Sequence, residues 1–236
     1  QNEEELIDKI NNALLNEVQI EVTSKLDTDN LLKATFYYNF LNYIILAGCV
    51  YLICLILSSF REEKIRKRTI ISSMNYKKHN RQLLLSNAIL TIILWIFYVI
   101  LSFILIGDIM FGKHGVILII NSFIFSICSL TIAFLIGNLI NNKNAINGII
   151  NVVGLGSSFL CGAFVPIEWL PDNILKIAHI LPSYWYIQTN EMVKTLETIN
   201  LQTLKPILTN MGILLIFSIL FIIITNIITK KRRKIA

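Results

Sequence analysis

The chain has 236 residues, of which 55% are hydrophobic and only 15% charged, with a formal net charge of +6. Its charges sit in clusters between long uncharged runs instead of being spread over a surface, which excludes an ordinary water-soluble domain and removes nucleic acid as the reason for the positive balance. Cys49, Cys54, Cys128 and Cys161 all fall inside the uncharged runs, with no CxxC pair and no nearby His, so they read as small apolar filler and offer no metal site.

The chain opens on a polar stretch. Between Glu3 and Asn16, Leu6, Ile10, Ala13 and Leu14 share a helical face, and Val18, Ile20 and Val22 then alternate with polar residues as a short strand does. Asp27 to Asn30 reads as a turn. Residues 1–35 are thus expected to be the end of a small extracytoplasmic α/β domain, and the export of this end calls for at least one further membrane helix upstream of Gln1.

Five stretches then contain no Asp, Glu, Lys or Arg: Ala34 to Phe60, Gln82 to Gly107, His114 to Asn142, Asn144 to Ile167 and Pro206 to Thr229, each 24 to 29 residues long. Crossing about 30 Å of hydrocarbon takes about 20 apolar residues, so all five qualify. A backbone in lipid must satisfy its own hydrogen bonds, which makes them helices. The expected fold is an all-α polytopic membrane protein over residues 36–236, with spans at about 36–59, 83–106, 116–140, 149–165 and 207–229.

Between the first two spans lies Arg61 to Gln82, with eight Lys/Arg against two acids. Short loops rich in Lys/Arg stay in the cytoplasm, and that fixes the orientation: N-terminal part outside, C-terminus inside. The segments so placed inside carry fourteen Lys/Arg in 37 residues, against seven in 85 outside. The terminal basic cluster, Lys230 to Lys234, also suits anionic membrane lipid. Adjacent antiparallel helices need only about 2–8 connecting residues, so a segment of this length has a structure of its own. Arg61 to Ser73 can form an amphipathic helix with Ile65, Ile70 and Ile71 among charges.

The turn from Gly107 to Gly115 and the loop from Asn141 to Gly148 are short, and Asp108 and His114 are expected to be solvated. In the fourth span Gly154, Ser158 and Gly162 stand four apart, a ladder of small residues that lets another helix, or a second subunit, approach closely. An outer interfacial segment follows over 166–193. Pro166 and Pro171 interrupt it, Asp172 is placed to cap a short helix from Asn173 to Ile180, and Pro182 stops that helix. Trp169 and Trp185 put the segment at the outer interface, lying flat or dipping back into the membrane.

Two places resemble the permease subunits of type-2 (ABC-2) ATP-binding-cassette exporters. Glu63-Lys64 through Thr69 to Met74 is similar to that family's Glu-Lys then Gly-Thr pattern, with Arg68 where Gly is usual. Gly162-Ala-Phe164-Val-Pro166, Leu170-Pro171 and Leu181-Pro182-Ser-Tyr184 resemble its Gly-x-x-x-Pro, Pro and Pro-x-x-Tyr series, with Glu191 near a frequent Arg. The likeness covers roughly residues 34–230, and in the family a first helix and an extracytoplasmic domain precede the spans seen here. It implies a dimer with a second permease copy or paralogue, a cytoplasmic ATPase subunit that carries ATP and Mg, and no cofactor in this chain. It makes Arg61 to Ser73 the coupling helix, with Glu62, Glu63, Arg66 and Thr69 as contacts to the ATPase. It places Gly154, Ser158 and Gly162 in helix packing or along the dimer seam, and Phe164, Pro166, Pro171, Pro182 and Tyr184 in an outer gate or re-entrant motif.

The residues alone agree that ATP hydrolysis is expected in a separate subunit, and they make a membrane-embedded enzyme the weakest reading. The chain has no G-x-x-x-x-G-K-[ST] to cradle phosphates, no HExxH and no GxSxG. The spans hold no ionisable groups of the kind proton-coupled transporters use, only amides and hydroxyls such as Asn121, Ser122, Asn151, Ser157 and Ser158 in an apolar wall. That lining suits a hydrophobic or amphiphilic cargo: a drug or antibiotic, a lipid, or a lipid-like peptide. The alternative is a membrane scaffold or sensor that binds a cytoplasmic partner and transports nothing.

Overall fold

A computed structural model describes residues 28–62, 65, 67, 76–140 and 145–235. The described part is all helical: α1 (Thr28–Phe60), α2 (Tyr76–Ile106), a 3₁₀ turn (Asp108–Phe111), α3 (Lys113–Leu139), α4 (Ala145–Cys161), a second 3₁₀ turn (Ile167–Trp169), α5 (Asp172–Ala178), α6 (Pro182–Lys194) and α7 (Leu201–Ile235). The expected helix-and-strand stretch before residue 28 lies outside the described residues, as do Glu63, Arg66 and Thr69.

Four helices, α1, α2, α3 and α7, are long and apolar enough to cross a membrane. They belong to four of the five uncharged runs, but three start well before those runs. Thr28 to Asn30, read as a turn, forms the first turn of α1. The helix extends there because Leu31, Ala34, Tyr38, Leu41 and Ile45, all at most 1% exposed, continue one buried face upstream of the apolar run. Asp29 in that first turn suits the positive end of the helix dipole. At α7, the Thr203 hydroxyl accepts the backbone N–H of Asn200 at 2.9 Å, which starts the helix five residues before Pro206.

The fifth run, predicted to span about 149–165, gives the shorter α4. At 1.5 Å per residue it is about 26 Å long, slightly less than the hydrocarbon thickness. It ends at Cys161 because Gly162 turns left-handed (φ +95°), with its N–H and that of Ala163 both returning to the Ser158 carbonyl. A π-helical turn, Asn151–Leu155, widens its middle.

α3 is the axis of the bundle. It packs against α1, α2, α6 and α7 and buries residues around its whole circumference, among them Leu118, Asn121, Phe125, Cys128 and Ala133. α2 and α7 are peripheral and turn rows of Ile, Leu and Phe outward, such as Ile89, Ile93, Phe97, Ile100 and Ile104 on α2. An apolar face of that length has no stable place in water and belongs against lipid.

Candidate functional site

The segment after Gly162 takes part in a polar assembly that joins three helices inside this apolar bundle. Proline sets its course three times: Pro166 precedes the second 3₁₀ turn, Pro171 precedes α5, and Pro182 is the first residue of α6. The sequence reading of a single capped helix stopped at Pro182 is therefore corrected. Asp172 lies in the first turn of α5 and makes no cap bond, and Pro182, whose missing N–H costs nothing at a helix start, opens a second helix.

α5 stays at the surface with Ile177 exposed, whereas α6 is inserted between α1, α3 and α7. Tyr186, fully buried, stacks on Phe125 of α3 at 4.3 Å and donates its hydroxyl proton to the Tyr38 carbonyl of α1 at 2.7 Å. Phe125 lies twelve residues along α3 from Lys113, about 18 Å, so the start of α6 reaches the middle of the bundle and the helix climbs back to the end marked by Gly107.

Four side chains on three helices then join in a chain. Asn121 Nδ2 of α3 donates to Asn190 Oδ1 of α6 at 2.8 Å and to the Tyr186 carbonyl at 3.0 Å. Asn190 Nδ2 donates to Asn39 Oδ1 of α1 at 3.0 Å, and Asn39 Nδ2 donates to Glu191 Oε1 at 2.7 Å. Glu191 Oε2 pairs with Lys194 at 3.1 Å, with both side chains about one-third exposed. Asn121 and Asn190 are wholly buried. Asn121 was visible in the sequence as an amide in an apolar wall. Asn39, Asn190 and Glu191 carried no signal linking them to it, because the pairs lie 69 and 151 residues apart.

Beside this chain, at the Gly107 end, a cleft of about 470 Å³ opens between α1, the 162–169 stretch and α6, with Thr35, Phe36, Asn39, Gln188 and Glu191 among its walls. Phe164 lines it as well and packs on Phe40, Tyr43 and Phe159 with ring centroids 5.0–5.7 Å away. Of the other predicted motif residues, Pro166 lines the cleft, whereas Tyr184 is buried below, its ring 4.1 Å from that of His179. Gly154 and Ser158 face α1: a methyl at Gly154 would touch Ala47 and Tyr43, and Ser158 Oγ accepts from Asn42 Nδ2 at 2.9 Å. Gly162 caps α4 and is not a rung beside them.

Residues 2–227 match the profile of the ABC-2 family transporter proteins. The chain belongs to that family. No curated protein sequence and no solved structure matches it. It is therefore a multi-pass membrane protein and the permease component of an ABC transporter, a class that works with an ATPase partner. Of the contacts expected toward that partner, only Glu62 lies among the described residues, exposed just past α1 with its N–H on the Ser59 carbonyl at 3.2 Å.

At this opposite end the permease ties its helices with one side chain. The Arg61 guanidinium donates to the Ile140 carbonyl through Nη1 and to Asn138 Oδ1 through Nη2 at 3.4 Å, joining the end of α1 to the end of α3 where the chain leaves for the basic segment. Arg61→Gln keeps an amide but loses that reach. Its expected cost is about 1–2 kcal/mol, read as a fall of a few degrees in the melting temperature of the detergent-solubilised protein, and an unchanged melt would rule the tie out.

Proposed function

We propose that this permease is part of an exporter that moves a hydrophobic or amphiphilic molecule outward across the cytoplasmic membrane. The observation that carries the reading is the family match over residues 2–227. The Arg61 end faces the cytoplasm, in line with its Lys/Arg density, and the segment Arg61 to Ser73 seats in a separate ATPase. Two permeases, identical or paralogous, enclose the path. ATP closure of the ATPases is transmitted as a rigid-body movement of α1 and α2, the helices on either side of that segment. An apolar wall broken by amides and hydroxyls, with no Asp, Glu, Lys or Arg within Ala34 to Phe60, Gln82 to Gly107, His114 to Asn142 or Pro206 to Thr229, favours cargo that partitions into the membrane and disfavours coupling to ions.

The test is copurification of the full chain with candidate cytoplasmic ATPases, with and without Arg61 to Ser73 replaced by a Gly/Ser linker. The expected result is an ATPase that binds the wild type and is lost, by tenfold or more, with the linker. Retention of the ATPase by the linker variant would remove the coupling role from that segment. Absence of any ATPase would favour the scaffold instead.

A further inference from the structure

The cleft at the Gly107 end has unspent polar groups. Hydroxyls on the helices of this bundle commonly bond back to the carbonyl four residues earlier, as Thr91, Ser218 and Thr225 do at 2.7–3.0 Å. Thr35 is 2% exposed, lines the cleft, and its Oγ1 has no hydrogen-bond partner among the described residues. The side chains of Gln188 and Glu168 line the same cleft and make no hydrogen bond or ion pair with any described residue. A buried hydroxyl left without a partner costs about as much as a lost hydrogen bond, and a molecule seated in the cleft with a donor at this wall recovers it.

The charges say what kind of molecule that is. The cleft is lined by two carboxylates, Glu168 and Glu191, and one ammonium, Lys194, a balance of one negative charge. Asn39 and Lys194 already fix the Glu191 carboxylate at 2.7 and 3.1 Å, but each of its oxygens has a further lone pair. Phe36 and Trp169, 69% and 77% exposed, stand on the same wall and offer open aromatic faces, which attract cations and take apolar bodies equally well.

We infer that this cleft binds the ammonium end of an amphiphile, with Glu191, Glu168 and the Thr35 hydroxyl taking the positive group and Phe36 and Trp169 holding the apolar body. The site rests on the reading of the cargo as amphiphilic and deepens it by assigning a charge. The same chemistry is found in a free cationic amphiphile and in an ethanolamine lipid headgroup. Binding here needs no ATPase, so it is measured apart from coupling.

The experiment uses the full chain in nanodiscs of phosphatidylglycerol, with tritiated dodecylammonium as probe and empty discs as background. Dodecyl sulfate, of the same chain length and opposite charge, is the control. Wild type is expected to bind the cation saturably and the anion no better than empty discs. Glu168→Gln, at an exposed position whose side chain makes no hydrogen bond or ion pair with a described residue, leaves the fold intact and is expected to weaken binding about threefold. Glu191→Gln, which keeps a hydrogen bond to Asn39 but loses the charge, is expected to weaken it by more than about tenfold. Wild-type affinity in both variants, or equal binding of the anion, would overturn the site. Displacement of the probe when phosphatidylethanolamine is added to the discs supports it with the lipid headgroup as source. Undiminished binding supports it with a free amphiphile.

Discussion

Gly115→Ala should lower the melting temperature of the purified permease by about 5–10 °C, and Gly115→Val should prevent recovery of folded protein. A methyl built at Gly115 falls 2.4 Å from the Met110 carbonyl oxygen, 2.5 Å from its Cα and 2.7 Å from its carbonyl carbon. These are backbone atoms and cannot turn aside as a side chain would. The first turn of α3 and the turn Asp108–Phe111 have to part, and the displacement lifts Met110 out of the cluster it forms with Ala34, Tyr38, Leu118 and Val193. One excess methyl in a close-packed interior costs about 1–3 kcal/mol, and fixed neighbours put this site at the upper end. Gly212→Ala is the internal control. No atom lies within 4 Å of a methyl there, and replacing a mid-helix glycine of α7 by alanine is expected to stabilise by up to about 1 kcal/mol. The same chemical change thus has opposite signs at two positions, and a Gly115→Ala melt within about 1 °C of wild type would contradict the close contact.

The spans were legible because lipid is an unforgiving solvent: a run of 24 or more residues without a charge has few other uses, and four such runs became crossing helices. Their ends were less legible, because beyond the lipid a helix is held by its neighbours and not by its composition. The face from Leu31 to Tyr38 carries α1 through a stretch whose Thr, Asp and Asn read locally as a turn. Gly162 was read as the third rung of a ladder, and the left-handed turn it makes, which that spacing does not announce, decides where α4 ends. Pro182 was similarly ambiguous, since proline ends one helix and begins another with equal ease. One of the two stretches that carried the family resemblance contains Phe164, Pro166, Pro171, Pro182 and Tyr184, and its prolines set the course of the segment that inserts α6. What local reasoning could not reach was the amide chain, because nothing in the neighbourhood of Asn39 indicates that its partner is residue 190.

That chain gives the second large effect. Asn190→Leu should cost about 2 kcal/mol, more than Asn121→Leu, although both residues are wholly buried and leucine branches in the same way as each. Asn190 uses both ends of its amide, accepting from Asn121 and donating to Asn39, so its removal deprives Asn39 Oδ1 of its donor and Asn121 Nδ2 of one of two acceptors. Asn121 already has an orphan: its Oδ1 is buried without a partner, and leucine removes that penalty along with the bonds. The double variant should therefore cost less than the sum of the singles by about 0.5–1.5 kcal/mol, within the range measured for interhelical polar pairs in membranes. Thermal unfolding of the four proteins in one detergent closes the cycle. Additive singles would mean that the two amides are neighbours without a shared bond. If the coupling is found, the buried amides hold α6 to α1 and α3 alongside Tyr186, and transport should fall with the same order, Asn190→Leu before Asn121→Leu, because the helix that loosens is the one that carries Glu191.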